Sequence, residues 1–159
     1  MKMPVALLLA FALVGCAPAS VSQSIIAKPS LNRTTVGGAG YPLIVEGAES
    51  IGLNPVIVAQ NMRFPARLGA GGSFRAISPA EAPALHAHLR IQPGQPLAAS
   101  TLTFVDGYRR LGVGTFAIAP AAYRNPQALG AVSATLITDM LNDAAQTYRD
   151  DDRPWWLYY

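Results

Sequence analysis

The chain has 159 residues, of which 13% are charged and 51% hydrophobic, with a formal net charge of +3. That hydrophobic share excludes disorder throughout, the length allows one ordinary domain with its own core, and a lone cysteine, Cys16, excludes an internal disulfide. Arginines gather in the middle as Arg63, Arg67, Arg75, Arg90, Arg109, Arg110 and Arg124 against Glu81 and Asp106, while Asp139, Asp143, Asp150, Asp151 and Asp152 make the end acidic.

The first element is a secretory signal: Lys2, an apolar core from Val5 to Val14, and small residues after it. It is shorter than the roughly 20 apolar residues a bilayer-crossing helix needs, because Ala17-Pro18-Ala19-Ser20 ends the run. Leu13-Val14-Gly15-Cys16 resembles the lipobox of bacterial lipoproteins at each of its four positions. The resemblance implies that residues 1–15 are removed, that Cys16 is diacylated, and that its new amine is acylated in turn. It implies a chain anchored to the membrane rather than spanning it, each buried acyl CH₂ contributing about 0.8 kcal/mol. Ala17 stands where enteric lipoproteins carry an aspartate that retains them in the inner membrane, so the resemblance favours the outer membrane, and a periplasm-facing chain is the expectation.

Residues 16–40 are rich in Ser, Thr, Ala, Gly and Pro and read as the lipidated N-terminus followed by a flexible tether, with pairing of Ser24–Ala27 as an edge strand the alternative. Strands are expected over Pro42–Glu46, Pro55–Gln60, Phe74–Ile77, Ser100–Val105 and Val113–Ala119, although Asn54-Pro55 could equally cap a short helix. Asp106-Gly107 marks a hairpin between the last two, with Tyr108 to Gly112 making its connection longer than the tightest type. Ser78, Pro79 and Glu81 have the capping-box spacing and predict a shorter helix from Ser78 to Arg90 with Ala82, Leu85 and Leu89 as its stripe. A longer helix is expected from Pro126 to Arg149, capped by Asn125, with Leu129, Val132, Leu136, Ile137, Met140 and Leu141 on its apolar face and Ser133, Asp139 and Asn142 on its polar one. Together these predict one α+β domain over 41–159: a small, mostly antiparallel sheet packed against a long C-terminal helix, with one shorter helix.

Thr115 to Pro120 followed by the Leu129–Ala145 helix resembles the strand-then-helix unit of envelope lipoproteins of the curli-export and related assembly families, from which it departs because no further strand follows. That likeness spans about 30 residues and carries no diagnostic motif.

Chemistry is sparse. His86 and His88 would diverge on a helix, and on a strand they lack a third ligand, so no metal or cofactor is expected. No Gly-x-Ser-x-Gly turn is present, and no flanking pattern marks Glu46 and Glu49 as a catalytic pair, so no catalytic residue is assigned and an enzyme is not expected. Basic residues are not interleaved with aromatics, and export argues against nucleic acid. Trp155-Trp156-Leu157-Tyr158-Tyr159 follows Pro154 and would expose a large apolar patch if left in water. It either folds back onto the domain or anchors a partner.

The expectation is therefore an outer-membrane lipoprotein anchored through Cys16, serving as a non-enzymatic accessory or scaffold for an envelope assembly or secretion complex. Trp155, Trp156, Tyr158 and Tyr159, with Arg109, Arg110 and Arg124, are its candidate contacts to an envelope protein. The alternative is a periplasmic module that binds anionic lipid or glycan through the basic middle of the chain.

Overall fold

The computed structural model describes residues 20–25, 40–65 and 72–150, the backbone alone over 20–25, at 109 and over 143–150. Seven strands, β1 (Ser20–Ile25), β2 (Tyr41–Glu46), β3 (Arg63–Phe64), β4 (Gly72–Ala76), β5 (Leu85–Gln92), β6 (Ala98–Asp106) and β7 (Arg109–Ile118), form one sheet in the order β1-β7-β6-β5-β2-β4-β3. Two helices accompany it, α1 (Pro55–Asn61) and α2 (Pro126–Asp150).

The sheet is mixed, which corrects the mostly antiparallel sheet expected from the sequence. β5, β6, β7 and β1 form an antiparallel run, but β2 lies parallel to both of its neighbours, β4 and β5. The parallel pair β2–β4 is joined through α1 and β3, a crossover that a hairpin could not provide.

The expected helix over Ser78–Arg90 is also corrected. A single 3-10 turn, Pro79–Glu81, is followed by strand β5. Leu85, Ala87, Leu89 and Ile91 alternate inward while His86, His88, Arg90 and Gln92 point outward, the period of a half-buried strand. Ser78 Oγ does donate to Glu81 Oε2 at 3.0 Å, but it caps no backbone amide, and the turn goes no further. The shorter helix is instead α1, where a strand had been expected over Pro55–Gln60. Asn54 Oδ1 accepts from the Val56 amide at 2.8 Å and Pro55 occupies the first helical position.

β6 and β7 form a hairpin whose turn is Gly107-Tyr108, with Gly107 at φ 59°; the connection is shorter than expected, because β7 begins at Arg109 and takes in the residues up to Gly112. Leu111 is the extra residue of a bulge, since the register shifts between the Phe104–Gly112 and Val105–Arg110 pairs. α2 starts on Asn125, whose Oδ1 accepts from the amides of Gln127 at 2.9 Å and Ala128 at 3.2 Å. Among its described side chains, which end at Asn142, the buried ones run from Leu129 to Leu141.

The sheet curls around α2. Ser133 bonds the β3 backbone, while Leu136 and Met140 lie against Gly114 of β7. In a flat sheet β3 and β7 would be about 24 Å apart at the usual strand spacing, yet Ser133 and Met140 are only about 10 Å apart along a helix. Only a half-barrel brings both strands to one short stretch of helix. Its concave side holds the core, including Leu43, Leu89, Leu102, Phe104, Phe116, Ile118, Leu129, Leu136 and Ile137, each large side chain there contributing roughly 1.5–3 kcal/mol. Tyr41 meets Phe64, Phe74 and Phe104 edge-on at centroid distances of 5.9, 6.0 and 5.6 Å.

β1 pairs with β7 from Ser20–Ala117 to Ile25–Gly112, so part of the segment read as tether is built into the sheet, and the edge strand begins four residues earlier than the Ser24–Ala27 alternative placed it. The signal segment and Cys16 lie outside the described residues, as do Trp155, Trp156, Tyr158 and Tyr159.

Candidate interaction surfaces

The convex face of the half-barrel is the one α2 does not occupy, and strand register arranges its side chains in rows. One row joins Arg110, Val105 and His86; the next joins Val113, Thr103, His88 and Ile44; a third joins Thr115, Thr101, Arg90 and Glu46. Arg75 of β4, opposite Pro42 of β2, extends the face toward β3. The strands thus gather a sequence-wide scatter of arginines and histidines onto one surface, on which Arg75, Arg90 and Arg110 are exposed and His86 and His88 half-buried.

Glu46 is the acidic residue in these rows, and it is already engaged. Arg90 Nε donates to Glu46 Oε2 at 3.0 Å, and His88 Nε2 stands 3.2 Å from the same oxygen. The Arg90 hydrogen bond is the largest influence on the Glu46 carboxyl and, with smaller help from the charges of His88 and Arg90, holds it below the usual carboxylate range against the opposing effect of burial, which is second in size. His86 Nδ1 lies 2.8 Å from the Pro83 carbonyl, which fixes that nitrogen as the donor. Among the described residues no three His, Cys, Asp or Glu side chains lie close enough together to hold a metal ion.

The expected arginine contacts do not form one cluster. Arg110 stands at the hairpin end of β7, and the backbone of Arg109 pairs there with Asp106. Arg124 ends the 3-10 turn Pro120–Arg124 beyond the other end of that strand, where Nη2 donates to the Gly52 carbonyl at 3.2 Å. From Arg110 to Ile118 is about 26 Å of strand.

Tyr108, which is not among the contacts expected from the sequence, is fully exposed at the hairpin tip between Gly107 and Arg109. Its signal was available: an aromatic directly after an Asp-Gly turn has nowhere to pack. Val56 and Ile57 were missed as well, because the segment was expected to be a strand; they are exposed on the first turn of α1.

The concave side offers two buried tyrosine hydroxyls. Tyr123 and Ser100 hydrogen bond to each other in the core, and burial raises the Tyr123 pKa despite that bond. Tyr41 Oη is buried without a hydrogen-bond partner among the described residues, and burial, with the Asp106 charge adding to it, pushes its pKa upward. Among the described residues no helix is long and apolar enough to cross a membrane.

Compared with protein-family models, with curated proteins and with solved structures, the chain finds no match in any of the three.

Proposed function

We propose that this chain is an outer-membrane lipoprotein held by acylated Cys16, acting as a non-enzymatic accessory of an envelope assembly or secretion complex. Its partner is an envelope protein with an acidic surface that docks on the β6–β7 hairpin tip and the adjoining convex face. One observation carries this reading: Tyr108 is fully exposed beside Arg110 at the hairpin end of β7, while β1 begins against Ala117 near the opposite end, four residues after Cys16. The Tyr–Arg tip therefore stands about 23 Å from the end of the sheet at which β1 begins, by the rise of the seven steps from Arg110 to Ala117. Tyr and Arg are the side chains most often found at the energetic centre of interfaces.

Mass spectrometry of the complexes recovered with the full-length, membrane-extracted protein, beside those recovered with Cys16→Ala, tests this. The expected result is a specific envelope protein that is lost with Cys16→Ala. Recovery of no envelope protein with either form contradicts it. The convex cations also suit the alternative, an anionic glycan or lipid ligand. That reading predicts salt-sensitive binding of isolated envelope glycans, lost in Arg110→Ala.

A further inference from the structure

The pairing of Ser20 with Ala117 has a consequence for Cys16. Ser20 lies four positions after Cys16, a distance of at most about 14 Å for a fully extended chain. Whatever surface receives acyl groups on Cys16 must therefore lie close to the end of the sheet where β1 begins.

That end is well defined. Ala98 of β6 pairs with Ile118 of β7, the backbone of Gly47 lies against the Ile91 carbonyl, and Arg124 bonds the carbonyl of Gly52. The connections over 47–54, 93–97 and 119–125 thus gather there. Over 47–57, 92–99 and 119–127 the charged side chains are Glu49 and Arg124. Val56 and Ile57 stand 49% and 46% exposed on the first turn of α1, the exposed large apolar side chains of the described residues apart from Tyr108. β1 and β2 lie four strands apart in the sheet order, at most about 19 Å, so a plane laid across the strand ends meets both.

We infer that this end of the half-barrel rests on the bilayer that holds Cys16, with Val56 and Ile57 in its interfacial layer. The inference depends on the reading of Cys16 as acylated. It replaces a domain floating on a long tether with one seated on the lipid. The orientation sends the β6–β7 hairpin away from the membrane, where a protein partner can reach it.

Two single-cysteine labels test the seating, because an acylated Cys16 offers no free thiol. The full-length acylated protein carrying Val56→Cys or Tyr108→Cys is labelled with bimane and reconstituted in phosphatidylethanolamine–phosphatidylglycerol vesicles containing nitroxide-headgroup lipid. Both positions are exposed, so neither substitution disturbs the core, and circular dichroism confirms the fold. The expected result is quenching several-fold stronger at Val56→Cys than at Tyr108→Cys. Equal quenching, or stronger quenching at Tyr108→Cys, overturns the seating while leaving the anchor intact. Mass spectrometry of the N-terminal peptide from the same preparation reads the anchor separately, and a Cys16 without acyl groups overturns the anchored reading and the seating together.

Discussion

Ser133 of α2 accepts a hydrogen bond from the Arg63 amide at 2.9 Å and directs its own proton toward the Arg63 carbonyl at 2.9 Å, so one side chain closes both backbone groups of a β3 residue. Gly130, one turn earlier, lets the helix come close enough, since a Cβ there would stand 3.2 Å from Arg63 Cγ and 3.4 Å from the Asn61 carbonyl oxygen. The pair ties the helix to the β3 edge of the half-barrel while Leu136 and Met140 tie it to β7. The helix is thereby the strut that holds the curl.

Ser133→Ala removes the acceptor of a polar backbone group at a fully buried site. Such a loss costs about 1–3 kcal/mol, and urea denaturation should show a lower midpoint with an unchanged slope. An unchanged midpoint would mean that β3 finds another partner for the Arg63 amide.

Gly114→Ala tests the opposite attachment. A Cβ at this position would lie 2.7 Å from Leu136 Cδ1, 3.1 Å from its Cγ and 3.1 Å from Met140 Sδ. Overpacking of this kind costs about 1–3 kcal/mol. Trimming Leu136 in the same chain should recover part of that loss, which thermal unfolding of the single and double variants would measure.

The two buried tyrosine hydroxyls should respond with opposite signs. Tyr41 Oη has no partner among the described residues, so Tyr41→Phe should leave stability unchanged or raise it by up to about 1 kcal/mol. Tyr123→Phe strands the Ser100 hydroxyl in the core, and should cost about 1–2 kcal/mol. Chemical denaturation of both variants under one set of conditions decides this.

Glu46 makes stability weakly dependent on acid. Its pKa is lowered in the folded chain, chiefly by the Arg90 hydrogen bond, so its contribution is present above the unfolded glutamate pKa, about 4.3, and is lost as pH falls through the folded value. The carboxylate is about half exposed, so salt should screen much of the effect. Denaturation midpoints from pH 6 downward, with and without added salt, should fall less steeply for Glu46→Gln than for the parent chain.

What the sequence revealed was mostly local. The Asn125-Pro126 cap, the Asp106-Gly107 turn and the β2 strand are spelled out by neighbouring residues. β5 is ambiguous in sequence because Ala82, Leu85 and Leu89 satisfy a helical stripe while Leu85, Ala87, Leu89 and Ile91 satisfy an alternating one; Pro83 is the residue that argues against the helix. Ser133 was placed on the polar face because its type is polar, and only the approach of β3, 70 positions away in sequence, buries it. The parallel partners of β2 are likewise set by contacts that no local pattern records. The basic convex face was visible only as an excess of arginine, because assembling Arg75, Arg90 and Arg110 on one surface requires the strand order. Arg124, grouped with the others by sequence, is carried to the far end of β7 by that strand's length.

The most direct test of the account is site-specific photocrosslinking in the native envelope, with a photoreactive amino acid at Tyr108 and, as the comparison, at Val56. The account predicts a discrete adduct between position 108 and one envelope protein, weakened by Arg110→Glu, and no protein adduct from position 56, which faces lipid. A protein adduct from position 56, with none from position 108, would contradict it.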